Sequence, residues 1–448
     1  MRTRPLLSLA LFAALVLSGC ETYQRLPLAS KPRLATNIQA LRNDGAIDLG
    51  KPLTVADIAV LAVQNNPDLV SARGDRGIAQ AQVLQAGLLP NPQISGSYGF
   101  LRAGPATVDQ WTAGLAEDIR ALVTFSADRR AAELAAKQVE ADLLWQEWQV
   151  IGKARMLTVD TVKQRELLAS IRDARNLLAD RYARDKRAVD EGNQTLAAVA
   201  PDLAALGDID KQLADAEVKA QAGARDLDLL LGLEPSVKLD IDPAIAIPPV
   251  DVEAVEKLVK DLPSRRPDLV ALKLGYASQD EKYYAAILGQ FPALVLGGSG
   301  GHDTSAVYSV GPTVTMDLPI FNRNQGNIAI EKATREKLHD EYANRLSTDM
   351  AEIHGMLADQ SLLRRQFADT REASAEADRA AKAAESAFAA ALIDGRSYVD
   401  LVGAALTRRQ ELTTIEQTLL DQQIALATLT GIAMPTISPI SENAGVSK

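Results

Sequence analysis

Apolar positions along this chain follow two spacings, and the switch between them happens twice. Residues 54–88 and 253–289 are rich in Ala, Leu and charge, with apolar positions at helical period. Thr54 stands three residues before Asp57, a capping arrangement that predicts a helix start. Charge then falls away over 92–119 and 293–318, where Gly, Ser, Thr and aromatics dominate. Ile94, Gly96, Tyr98 and Phe100 make one apolar face there, with Ser95, Ser97 and Gly99 opposite. Tyr308, Val310, Pro312, Val314 and Met316 alternate in the same way with Ser309, Gly311, Thr313, Thr315 and Asp317. Alternation over about ten residues is the pattern of a transmembrane barrel strand. Residues 108–118, carrying Trp111, Ala113 and Leu115 on one face, and a weaker segment at 293–301 supply the partners. Four strands cannot close a barrel, since barrels begin at about eight, so they must combine between subunits. Taken alone, these segments also fit a half-buried sheet in a soluble α+β domain.

Beyond each strand region the chain is helical. No proline occurs between Pro105 and Pro201 or between Pro319 and Pro435. An unbroken helix from about Ala127 to Val189 would be roughly 95 Å long and would need lateral packing. Pro201 predicts a break or kink in the returning helix.

Short motifs keep their order through both halves, which predicts an internal duplication. Asn66-Pro67-Asp68-Leu69-Val70 returns 200 residues later as Arg266-Pro267-Asp268-Leu269-Val270. Leu88-Leu89-Pro90 is matched by Gln290-Phe291-Pro292, and Gly114 to Asp118 by Gly311 to Asp317. The first copy ends on Leu230-Leu231-Gly232-Leu233-Glu234-Pro235 and the second on Leu429-Thr430-Gly431-Ile432-Ala433-Met434-Pro435. The predicted repeats are 53–235, with strands at about 92–119, and 253–435, with strands at about 293–318. Residues 236–252, rich in Pro, Asp and Ile, form the linker; 20–52 precede the repeats as an extended segment and 436–448 follow as a tail. The expected fold is mainly α, with a small β part and long antiparallel helices.

The N-terminus changes the picture by fixing a compartment. Arg2 and Arg4 precede an apolar stretch from Leu6 to Leu17, too short to span a bilayer, so residues 1–19 read as a signal peptide. Leu17-Ser18-Gly19-Cys20 matches a lipoprotein processing box, which predicts acylation (palmitate) at Cys20. Cys20 is the only cysteine, so no intramolecular disulfide can form. Acyl chains anchor without spanning. Glu21, and not the aspartate that signals inner-membrane retention in such lipoproteins, favours the outer membrane.

Removal of residues 1–19 leaves 46 basic against 58 acidic residues, which argues against nucleic-acid binding. The chain carries no Gly-x-x-x-x-Gly-Lys-Ser/Thr loop, Gly-x-Ser-x-Gly elbow or His-Glu-x-x-His run, so no catalytic residues and no enzyme are expected. Gly297-Gly298-Ser299-Gly300-Gly301 opens no helix, and reads as a flexible outer loop or strand end. His302, His339 and His354 are the only histidines; Met350 and His354 share a helix face but read as packing and surface residues. No Cys/His cluster has zinc spacing, so neither a metal site nor a cofactor is expected.

The order of elements behind a lipoprotein box resembles the TolC family of outer-membrane factors. Asn65-Asn66-Pro67-Asp68-Leu69, Leu88-Leu89-Pro90-Asn91-Pro92, Ser264-Arg265-Arg266-Pro267-Asp268-Leu269 and Asp317-Leu318-Pro319-Ile320-Phe321-Asn322 fall where that family has them. The resemblance covers roughly residues 50–435. It implies a homotrimer with a twelve-stranded outer-membrane barrel and a periplasmic α-barrel. It further implies docking to a periplasmic adaptor (membrane fusion protein) and to an inner-membrane pump of the RND type. Residues 318–327 look most like the heavy-metal efflux branch; multidrug or organic-compound efflux and a type I secretion duct are the alternatives. A periplasmic lipoprotein scaffold or adaptor is the reading from another class, but it explains neither the duplication nor the alternating segments.

The resemblance places the periplasmic tip and adaptor contact at the turns between long helices. Gly192 is able to take a positive φ and Thr195 able to cap the returning helix, which fits the family's Gly-x-x-Ser/Thr pattern. The second turn departs from it: aligned on Ser397 or Asp400, Asp394 stands where glycine is expected and Gly395 comes one residue late. Asp400 matches an acidic position of the lumen constriction, and a solvated helix acid is the plainer reading of it.

Overall fold

The computed structural model describes residues 22–45, 47–105, 108–235 and 237–432. Two units are distinguished, divided after Leu34. In the first, the described residues 22–34 run without helix or strand. The signal peptide, Cys20 and the C-terminal tail lie outside the described residues.

The second unit presents the order of elements twice. Helix α1 (Val55–Asn65) opens on a capping box in which Thr54 and Asp57 satisfy each other's backbone. Asn66 caps α2 (Pro67–Ala86) by accepting from the N–H groups of Asp68 and Leu69, and its Nδ2 donates to Leu230 O. Strands β1 (Gln93–Gly99) and β2 (Gln110–Asp118) follow. Then come α3 (Ile119–Asp190) and α4 (Leu196–Leu230). The second half runs α5 (Val252–Val259), α6 (Leu262–Arg265), α7 (Pro267–Leu288), β3 (Leu294–His302), β4 (Tyr308–Met316), α8 (Gln325–Ala389) and α9 (Gly395–Thr430). The chain is thus mainly helical, duplicated, and carries four strands.

At 72 residues α3 is about 108 Å long, beginning earlier than Ala127 because Asp118 caps it directly from the strand. Pro201 does not break α4. It sits within the first two turns, where few intrahelical bonds are at stake, and the helix runs on to Leu230.

Long helices bury little each, so the core is distributed. Leu53, Ile58, Leu61, Leu227, Leu231 and Leu233 form one cluster, tied by parallel bridges from Ala35 to Leu233 and from Leu53 to Ile241. Val255, Leu262, Leu269, Ile353 and Leu426 form its second-half partner. Beside that cluster Arg266 is fully buried, 2.6 Å from Asp268 and 3.1 Å from Asp349, with its guanidinium 4.7 Å from the centre of the Trp145 ring. The Arg-Pro-Asp motif therefore builds a buried ion network, whereas Asn-Pro-Asp builds a helix cap.

The strands form one antiparallel sheet in the order β1-β2-β3-β4. Tyr98 pairs with Trp111, Trp111 with His302, and His302 with Tyr308, so four rings line up across the hairpin end. The Gly297–Gly301 run is neither an outer loop nor a strand end. It occupies the interior of β3.

Candidate functional site

The register sorts the sheet into two chemically distinct faces. Ile94, Trp111, Leu115, Leu296, Tyr308, Val310 and Val314 share one face, while Ser95, Ser97, Thr112, Ser299, Thr313 and Thr315 share the other. The apolar face is open in the single chain: Ile94 is 86 % exposed and Val310 90 %. An uncovered apolar face of this extent marks a surface that water does not cover in the working state.

Glycine sets the curl. A Cβ on Gly297 would overlap the carbonyl of Leu115, and one on Gly301 the carbonyl of Trp111. Both glycines lie on the polar face, where β2 and β3 approach too closely for side chains. Gly96, Gly298 and Gly300, on the apolar face, meet nothing closer than 3.4 Å. The polar face is therefore the inside of the curl and the apolar face its outside. No strand pairs with the outer edges of β1 and β4 among the described residues.

The helical turns have matching geometry. Gly192 has φ 76° and Ala391 φ 57°, the left-handed conformation, in both turns. Asn193 N–H donates to Ala188 O and Leu392 N–H to Ala387 O, both at 2.8 Å. The structural counterpart of Gly192 is thus Ala391, which takes a conformation strained for a residue with a Cβ. Thr195 and Asp394 occupy matching N-cap positions. Thr195 makes no side-chain capping bond, whereas Asp394 accepts from Ser397 N–H at 2.8 Å. Asp400 is exposed on α9, and no ion pair reaches it among the described residues.

Gly395 opens α9 against the guanidinium of Arg181, which a Cβ would overlap. Pattern reasoning missed Arg181 because it sits in a charge-rich stretch, Arg181 to Arg187, that reads as a solvated face. It is instead buried, bound to Asp202 at 2.9 Å. Two further acids lie along the helices, Asp228 buried and Asp421 half-buried. Burial pushes Asp228 up to about 6, opposed by Arg165, and burial with the nearby Asp160 charge pushes Asp421 up to about 6.

The stretch 318–327 has a local structural role. Asn324 takes φ 63° and donates from Nδ2 to Ala286 O at 2.7 Å, near the end of α7. Asn322 accepts from Asn324 N–H, and Arg323 Nε donates to Pro319 O. These bonds fix the passage from β4 into α8. Among the described residues, no three His, Cys, Asp or Glu side chains gather where an ion would sit. His354 is exposed on α8, and His302 stands in the ring row of the sheet, 5.2 Å from Tyr308 and 5.8 Å from Trp111 between ring centres.

Residues 258–432 match the family model described as outer membrane efflux protein. No curated protein sequence matches. Among solved structures, the CmeC outer membrane channel of Campylobacter jejuni is similar over 92 % of this chain and 94 % of its own, with TM-score 0.72 and 16 % identity. CusC is similar over 92 % of this chain and 98 % of its own, with TM-score 0.69 and 16 % identity. The open state of the MtrE outer membrane channel of Neisseria gonorrhoeae is similar over 91 % and 98 %, with TM-score 0.68 and 15 % identity. At such identities the likeness is one of fold.

Proposed function

We propose, for a chain that belongs to the TolC family of outer-membrane factors, that three copies close a twelve-stranded barrel and form the passive exit duct of a tripartite efflux system. The observation that carries this reading is the curled sheet, with an apolar outside, a polar inside and two unpaired edges. An edge of backbone donors and acceptors cannot be left open in hydrocarbon, so the sheet must be completed by other copies. The long helices then continue the duct into the periplasm, where the turns around Gly192, Thr195, Gly395 and Ser397 meet an adaptor. An inner-membrane pump supplies the energy, and an acylated Cys20 anchors the chain.

Asp400, exposed on α9, would place three carboxylates in the lumen, raising local cation concentration. The cargo reading favours heavy-metal cations through the likeness of residues 318–327 to that branch, with organic compounds as the alternative. A duct needs no tight site, since tight binding slows passage. The test is the purified full-length protein in a planar bilayer, with its mass measured in detergent. Trimers that conduct support the reading, and a non-conducting monomer sinks it. In the same recordings Asp400→Asn should lower cation preference; unchanged selectivity would remove Asp400 from the lumen.

A further inference from the structure

The two helical hairpins meet near their turns around one side chain. Arg181, on α3, is 2 % exposed. Its Nε donates to Asp202 Oδ1 on α4 at 2.9 Å, and its Nη2 lies 3.6 Å from Asp185 Oδ2. The guanidinium carbon stands 4.1 Å from the centre of the Phe388 ring and 4.8 Å from that of Tyr398. Phe388 lies in the last turn of α8 and Tyr398 in the first turn of α9. A cation from the first hairpin is therefore seated on the turn of the second, and Gly395 leaves room for it.

One guanidinium faces two carboxyl groups. Asp185 and Asp202 both face that guanidinium, at 3.6 and 2.9 Å, and Asp202 is 1 % exposed. Asp202 Oδ2 is buried without a donor. Two ionised carboxylates set against one guanidinium leave a negative charge unanswered, while a proton on the pair turns one acceptor into a donor and leaves one anion for one cation. Burial, helped by Asp185 and opposed by Arg181, pushes Asp202 up to about 6.

Other groups face the cluster from the neighbouring elements. Asp394 of α9 acts on Arg181 and is held low by its bonds to Ser397, so it stays ionised. Tyr398 is pushed up by burial and by Glu385 of α8, against Arg181 and Arg184, so it stays neutral. A carboxyl raised in the assembled state binds its proton more tightly there than when the cluster is apart. The attachment is therefore strongest below the ordinary carboxylate range and weakens as pH rises through about 6.

We propose that Asp185 and Asp202 form a proton-loaded clasp on Arg181, which grips the second hairpin's turn in mildly acidic solution and slackens when the proton leaves. The inference rests on contacts within one chain and is independent of what the duct carries.

Hydrogen–deuterium exchange on the full-length protein, corrected for intrinsic exchange at each pH, reads the grip in residues 384–402. Protection there should fall on the order of tenfold between pH 5 and pH 8, with a midpoint near the 6 of Asp202. Asp202→Asn keeps the shape and carries a fixed donor, so its protection should stay high at both ends. A flat wild-type profile overturns the proposal, as does a transition that survives in both Asp202→Asn and Asp185→Asn. Should neither variant fold, protection in 384–402 is compared with that in the rest of α8 and α9 of the wild type: a fall confined to 384–402 supports the clasp, and a fall shared along both helices overturns it.

Discussion

A buried charge is costly to strand, and two arginines of this chain show the consequence at residue scale. Arg266 is held by Asp268 and Asp349 with no exposed surface of its own. Asp349→Ala should cost about 1–3 kcal/mol, because Asp268 alone must then answer both Arg266 and Arg345; denaturant unfolding of the purified protein measures it. Glycines divide by the same logic of what surrounds them. Gly395→Ala would drive a methyl into Arg181 and should destabilise the hairpin end by about 1–3 kcal/mol. Gly355→Ala, in open space within α8, should instead stabilise by up to about 1 kcal/mol. Thermal unfolding of the two variants side by side should give shifts of opposite sign. Acids raised by burial set the pH dependence. Asp228 and Asp421 are both pushed up to about 6, so the native state binds protons more tightly than the unfolded chain. Stability contributed by these sites should fall as pH rises from about 4 to above 6, and Asp421→Asn should flatten part of that slope.

At the scale of elements, the sheet is where a single methyl has the largest effect. Gly301→Ala should prevent β2 and β3 from pairing, whereas Gly311→Ala has free space and should be tolerated. The check is whether each variant still gives a folded, heat-resistant species on cold gels. The four strands were legible because alternation survives in β1, β2 and β4. It is weaker in β3, where Gly297 and Gly301 carry no side chain to alternate, and close backbone approach is invisible to hydropathy. Helices were legible from the lack of proline, and Pro201 misled because its cost depends on distance from the helix start. The second turn was obscured for another reason: Ala391 holds a conformation expected of glycine, while the glycine nearby serves Arg181. Asn324 is similar, its left-handed backbone signalled only by residue type. The cluster around Arg181, Asp202, Phe388 and Tyr398 joins four helices, and no local pattern announces such a meeting.

For the molecule as a whole, the unpaired edges of β1 and β4 make the sheet incomplete in one copy. On the function proposed above, its apolar outside is covered by a bilayer and its polar inside borders the pore of a closed ring. That dependence has a genetic reading. If three chains share each ring, a chain with a spoiled edge harms two sound partners as well as itself. Cells making equal amounts of sound chains and chains spoiled on the outer edge of β4, both able to assemble, would keep about one-eighth of their rings wholly sound. The variant would then behave as a dominant trait, although nothing in the second gene copy is damaged.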